Sequence, residues 1–325
     1  TRMSPARKLS SNFQSNAVPM AVRERAAARL LHFAGGAYDS VFFVNSGAEA
    51  NENALKMAFR MTGRSHVAAV ESGFHGRTAA AGAITWGARE KWHAFPRTPF
   101  DVSWMPRQDT AAIAQHVTPD TAAVIVEPIQ GVGGAFDLGA PFLQALRQRC
   151  DEVGALLVFD EVQCGMGRSG HAFAADLYSV RPDMITTAKA LGNGFPCAAL
   201  LMTPRVTKAV RMETLGTTFG GGPMACAAIE AVIEAIERED LLANVRRVSQ
   251  YIRETCRVGP VTGFQGEGFL LGLRMNRPAK ELQAALLARD ILTGTSGDPE
   301  VLRLLPPFIL REEHVDLLKG ALATL

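Results

Sequence analysis

Leu156-Leu157-Val158-Phe159-Asp160-Glu161-Val162-Gln163 opens as an apolar run and stops at a carboxylate. A short run that is apolar at every position, not at alternate ones, is the pattern of a strand buried on both faces of a sheet. A second such run, Met184-Ile185-Thr186-Thr187, leads into Ala188-Lys189-Ala190-Leu191-Gly192-Asn193-Gly194, which places Lys189 29 residues after Asp160. One strand thus delivers an acid and another delivers an amine. In open α/β sheets ligands bind beyond the carboxyl ends of the strands, so both groups are candidates for one site.

Outward from these two runs, the same texture continues. Val41 to Val44, Val67 to Val70, Ala122 to Val126 and Ala198 to Met202 read as further strands. Asn45-Ser46-Gly47 opens a helix through about Arg60, closed by Gly63, and Pro141 to Val153 reads as another helix. Strands alternating with helices predict an α/β domain with a mostly parallel sheet. From Pro223 the texture changes to amphipathic helices, to about Arg238 and from Leu241 to Thr255. Short β-like runs follow near Val261 and at Phe269-Leu270-Leu271, then a helix from Pro278 to Arg289, the run Val301 to Leu305 and a terminal helix. The expected division is an N-terminal segment 1–18, a large domain 19–222 and a smaller α+β domain 223–325.

The bulk properties exclude several classes. A chain of 325 residues, 47% hydrophobic, can bury a sizeable core, and a net charge of +2 spread along it offers no basic stripe for nucleic acid. No apolar run approaches the ~20 residues that span a bilayer, and Thr1-Arg2-Met3-Ser4-Pro5 has no apolar signal core. Cys150, Cys164, Cys197, Cys226 and Cys256 are far apart and odd in number, which disfavours a disulfide framework and fits a reducing cytoplasm. Neither His75 nor any other histidine has metal-ligand spacing, so no metal is expected.

Each motif has a plainer reading beside the functional one. Ser46-Gly47-Ala48 joins a strand to a helix N-terminus, where free N–H groups favour a phosphate, although Ser46 alone reads as an ordinary N-cap. Phe74-His75-Gly76-Arg77 follows another strand at the same edge: Phe74 can stack on a flat ring and Arg77 can hold a carboxylate, or they are a core Phe and a surface Arg. Asp160 must be paired or hydrogen-bonded, as a site acid or as a structural cap. Lys189 is the lone charge between Asp183 and Arg205, the setting of a desolvated nucleophilic amine, whereas most lysines are solvated surface charges. Thr217-Thr218-Phe219-Gly220-Gly221-Gly222 suits a further phosphate contact or a plain interdomain turn. An amine and an acid so placed are what pyridoxal 5'-phosphate needs, the first to bond its aldehyde and the second to hold its ring nitrogen protonated.

In order and spacing these blocks resemble the class III (ω-amino acid) aminotransferases of fold-type I, and the acetylornithine aminotransferase branch looks most similar. The matching stretches are Asn45 to Asn51, Phe74 to Thr78, Glu127-Pro128-Ile129-Gln130-Gly131, Asp160 to Gly170, and the Lys189 loop with Thr217 to Gly221; Leu292 to Thr295 and Val301 to Pro307 add to them. The resemblance runs from about Leu9 to the end. It implies that Lys189 bonds the cofactor and that Asp160 meets the pyridinium. Ser46, Gly47 and Ala48 would then cup the phosphate, Phe74 and Val162 would flank the ring, and His75 and Gln163 would contact the cofactor. Thr218 would reach the phosphate of a neighbouring subunit, which implies a homodimer with shared sites. Arg303, Arg77 and Glu127 would serve the substrate.

Three departures stand out. Family members usually carry some tens of residues more at the start, forming an arm and strands that line the substrate entrance. Val132 stands where many have a Glu that masks the carboxylate-binding arginine, so Arg303 is expected to be permanently available. Leu215 and Gly222 stand where His and Asn are common. The implied reaction passes the δ-amine of N2-acetylornithine to 2-oxoglutarate, giving N-acetylglutamate 5-semialdehyde and glutamate. Ornithine, succinyldiaminopimelate, 4-aminobutyrate or carrier-linked lysine are alternative donors; an intramolecular aminomutase and a non-catalytic scaffold are the alternative classes.

Overall fold

The computed structural model describes residues 18–325. The expected N-terminal segment therefore lies, except for Val18, outside the described residues. The strands are β1 (Ser40–Val44), β2 (His66–Val70), β3 (Asp101–Met105), β4 (Thr121–Val126), β5 (Ile129–Gln130), β6 (Phe136–Asp137), β7 (Leu156–Asp160), β8 (Met184–Thr187), β9 (Ala198–Met202), β10 (Val261–Glu267), β11 (Leu270–Met275) and β12 (Val301–Leu304). Seven of them form one sheet in the order β1-β9-β8-β7-β4-β2-β3. Neighbours from β3 to β8 pair in parallel, while β9 runs against both β8 and β1. The α/β class and the mostly parallel sheet are as expected.

The continuous apolar runs follow from burial on both faces. Val124, Val126, Leu157 and Phe159 enter one core, and Ala123, Ile125, Leu156 and Val158 enter the other. Truncating a fully buried ring such as Phe159 to Ala costs about 3–5 kcal/mol in cores of this kind. Several elements have no counterpart in the sequence reading, among them the short β5 and β6 and two longer ones. Edge strand β3 carries Asp101 and Ser103 and is half-exposed, so its apolar signal is weak. The Ala21–Phe33 helix buries only Ala26, Leu30 and Phe33, a narrow stripe among three arginines.

A second, antiparallel sheet, β10-β11-β12, carries the small core of Val248, Phe269, Leu271, Leu302 and their neighbours. The Pro223–Arg238 helix, read as the start of this smaller unit, instead buries Cys226, Ile229 and Ile233 in the large core. By packing, the second core begins with the Leu241–Thr255 helix, whose Val245, Val248 and Ile252 belong to it.

Candidate active site

Five strands that share one direction end at the same edge, and each hands it a different part. β1 ends before Asn45-Ser46-Gly47-Ala48, β2 before Phe74 and His75, β4 before Glu127, β7 at Asp160 and β8 before Lys189. Reversed β9 brings Phe195 to Cys197 to that edge by its start. The result is a cavity of about 370 Å³ lined by Ser46, Gly47, Ala48, Phe74, His75, Glu127, Asp160, Val162, Gln163 and Lys189.

Asp160 is only 2% exposed and is held by three donors. Oδ2 accepts from Asn51 Nδ2 at 2.7 Å and from His75 Nδ1 at 2.8 Å, and Oδ1 accepts from the Val162 amide at 3.1 Å. A carboxylate oxygen can only accept, so the His75 ring carries a proton on Nδ1 facing Asp160, while Nε2 is buried without a partner among the described residues. His75 therefore lines the cavity and also braces the acid from behind.

The Gly47–Thr62 helix starts where the sequence placed it. Ser46 Oγ accepts from the Glu49 amide at 3.2 Å, Glu49 Oε2 accepts from the Asn45 amide at 2.7 Å, and Gly63 closes the helix at φ 68°. The amides of Gly47 and Ala48 have no acceptor among the described residues, as first-turn N–H groups do until a ligand comes. Two glycines make the approach possible. A Cβ on Gly76, at φ 131°, would stand 2.6 Å from Ala48 Cβ, and one on Gly47 would stand 2.7 Å from a Val162 methyl.

Glu127 is buried and accepts from the Phe74 amide at 2.8 Å and the Gly131 amide at 3.1 Å. Burial foremost, then the nearby charge of Asp160, pushes its carboxyl up to about 7, against the opposing pull of His75 and the two amides. Gly131 in turn accepts from Arg303 Nη1 at 2.7 Å. Its missing side chain leaves room for Gln163, since a Cβ there would overlap Gln163 Oε1 at 1.3 Å. Gln163 Oε1 itself is buried without a partner among the described residues.

Lys189 corrects one expectation. The uncharged stretch suggested a desolvated amine, but Lys189 is exposed at the cavity, because the glycines and Asn193 after it form an open turn instead of packing over it. It begins a single 3₁₀ turn at φ 41°, a region non-glycine residues occupy rarely and at a cost of order 1–3 kcal/mol. Three expected residues do not line the cavity. Arg77 lays its guanidinium 4.6 Å over the Trp92 ring and 5.9 Å over Phe74. Arg303, on β12, reaches from the small sheet to Gly131, and burial lowers its pKa. Thr218 sits in an exposed loop.

Two residues without an assigned role belong to the site. Asn51 contacts Asp160 and the His75 carbonyl, and Thr186 donates its hydroxyl to Asn51 Oδ1 at 2.6 Å. The signal for Asn51 was available: it interrupts the buried stripe of Ala50, Ala54, Leu55 and Ala58 with an amide.

Among known proteins, the chain matches the aminotransferase class-III family over residues 5–325. It is 43% identical over 309 residues to the acetylornithine aminotransferase of Streptomyces coelicolor, spanning 94% of this chain and 75% of that one. It is 38% identical over 293 residues to the acetylornithine/succinyldiaminopimelate aminotransferase of Yersinia pestis, spanning 85% and 72%. The ornithine aminotransferase of Toxoplasma gondii, solved with partial occupancy of PLP at its active site, superposes with a TM-score of 0.89 at 26% identity, over 98% of this chain and 79% of that one.

Proposed function

The chain belongs to the class-III aminotransferases, and from that premise we propose that it moves the terminal amine of N2-acetylornithine to 2-oxoglutarate with pyridoxal 5'-phosphate as cofactor. The observation that carries the reading is the delivery of Asp160 and Lys189 by adjacent parallel strands to one cavity. The residues present suit the cofactor. Uncommitted amides at Gly47 and Ala48 match a phosphate, the partnerless Gln163 amide matches a ring hydroxyl, and Gly47 and Gly76 keep the cradle open.

When bound, the cofactor supplies an aldehyde that bonds amines and a protonated ring that takes up the electron pair freed at the substrate carbon. Asp160 would hold the proton on the ring nitrogen. Phe74 and Val162, both lining the cavity, would flank the ring. Lys189, exposed at the cavity, would hold and move the proton on its amine nitrogen. Glu127 ties Phe74 to Gly131 and so to Arg303, joining the ring wall to the carboxylate-binding side. With Val132 in place of an acid, no side-chain carboxylate at that position competes with a substrate carboxylate for Arg303, which would have to leave the Gly131 carbonyl to bind one, and Arg77 would have to leave its stack on Trp92 to serve a second.

The donor assignment is supported by the identity to acetylornithine aminotransferases over most of the chain. Succinyldiaminopimelate is the second reading, favoured by the name of the Yersinia relative. The exposed apolar side chains of Phe219 (68%) and Met224 (64%) beside Thr218 support a homodimer in which that loop serves the other subunit. We place the reaction in a reducing cytoplasm, on the five buried, unpaired cysteines. No helix among the described residues is long and apolar enough to cross a membrane.

A panel of acetylornithine, ornithine, succinyldiaminopimelate and 4-aminobutyrate, each with 2-oxoglutarate, tests the reading. Glutamate should form with the highest kcat/KM from acetylornithine. A preference for 4-aminobutyrate would overturn the donor assignment, and no glutamate from any donor would overturn transamination.

A further inference from the structure

We propose that Asn51, oriented by Thr186, is a positioning residue that selects which oxygen of Asp160 meets the cofactor's ring nitrogen; the proposal rests on the pyridoxal phosphate reading of the site. The Asn51 amide is the hub of a buried network. Its Oδ1 receives the Thr186 hydroxyl at 2.6 Å, which fixes the amide so that Nδ2 is the group turned to Asp160. One N–H of Nδ2 goes to the His75 carbonyl at 2.7 Å and the other to Asp160 Oδ2 at 2.7 Å. Both hydrogens are then spent.

The consequence falls on Asp160. Oδ2 takes Asn51 and His75 Nδ1 together, while Oδ1 takes the Val162 amide alone. A carboxylate oxygen has about two good acceptor sites, so Oδ2 is saturated and Oδ1 keeps one for a ligand. The network also holds the acid of the central strand in place by three hydrogen bonds. Thr186 lies directly across from Asp160 in the β7–β8 register, and Asn51 sits one helical turn after Gly47, on the side where the helix meets the sheet. Strand register, helix face and amide orientation thus converge on one oxygen. Were Asn51 merely a packing residue, Ala or Leu would fill the stripe as its neighbours do.

The test uses the intact enzyme loaded with pyridoxal phosphate labelled with ¹⁵N in the ring, as wild type, Asn51→Ala and the milder Thr186→Val. Failure of the wild type to bind the cofactor would remove the underlying reading; a wild type that binds it leaves the variants to decide the proposal. Binding is expected to persist in both variants. Their ring-nitrogen resonance should move toward that of an unprotonated pyridine, and kcat should fall roughly ten- to a hundredfold with KM little changed, the scale of one charged hydrogen bond. Thr186→Ser, which restores the hydroxyl, should recover the wild-type resonance. A wild-type nitrogen signal and kcat in Thr186→Val would overturn the proposal, even if Asn51→Ala failed to fold.

Discussion

Asp160→Asn keeps the shape of the side chain and removes its charge, and the geometry sets the size of the effect. The new amide must put its NH₂ either where Oδ2 meets two donors at 2.7 and 2.8 Å, or where Oδ1 meets the Val162 amide at 3.1 Å. Each buried donor left facing a donor costs about 1–3 kcal/mol, so the second placement wins and the NH₂ turns to the ligand side. There it opposes the ring N–H that the carboxylate would hold. A charge pair about 4 Å apart is worth about 4 kcal/mol at an effective dielectric near 20, and its loss corresponds to roughly a thousandfold in rate. The assay is single-turnover mixing of cofactor-saturated variant with amino donor, followed by cofactor absorbance, with thermal unfolding to confirm a folded chain. A rate within about threefold of wild type in a folded, saturated variant would refute the reasoning, because under 1 kcal/mol would then separate charge from no charge.

Other perturbations reach different links. Arg303→Ala should raise KM for 2-oxoglutarate at least about tenfold with a smaller change in kcat, since a charge-assisted carboxylate contact is lost; steady-state kinetics with varied 2-oxoglutarate checks it. Gly76→Ala puts a Cβ 2.6 Å from Ala48 Cβ at φ 131°, so both Tm and cofactor affinity should drop, read by calorimetry and by absorbance titration; an unchanged affinity would separate this turn from the phosphate cradle. Glu161 is buried at the start of the Ala174–Tyr178 helix, and burial pushes its carboxyl from 4.5 up to about 8. The folded state therefore binds a proton that the unfolded state releases, and unfolding free energy should fall by a few kcal/mol as pH rises from about 4.5 to about 8. Urea titrations at both ends measure the slope, and Glu161→Gln should reduce it, leaving the share that Glu127 contributes below about pH 7.

The parts of this protein that were legible in its sequence are those written in short windows. Leu156 to Phe159 announces a strand buried on both faces because every side chain in it is apolar, and Ser46 with Gly63 brackets a helix by local capping chemistry. Edge strand β3 escaped because one wet face and Asp101 dilute its apolar pattern. Lys189 stands out in the sequence but its surroundings do not: a stretch without charges is not thereby packed, and the turn after it stays open. Asn51 shows in the sequence only as a polar break in an apolar stripe, and Thr186 not at all; the partners of both stay hidden for another reason. Their meaning lies in bonds to Asp160 and to each other that span 109 and 135 residues, and no periodicity carries that information.

The most direct measurement concerns Lys189 itself. Borohydride reduction of the protein loaded with pyridoxal phosphate, followed by peptide mass spectrometry, should find the pyridoxyl group on Lys189, and Lys189→Ala should retain none and lose the visible absorbance. A label on Lys56 or Lys208, or a yellow and fully active Lys189→Ala, would contradict the account.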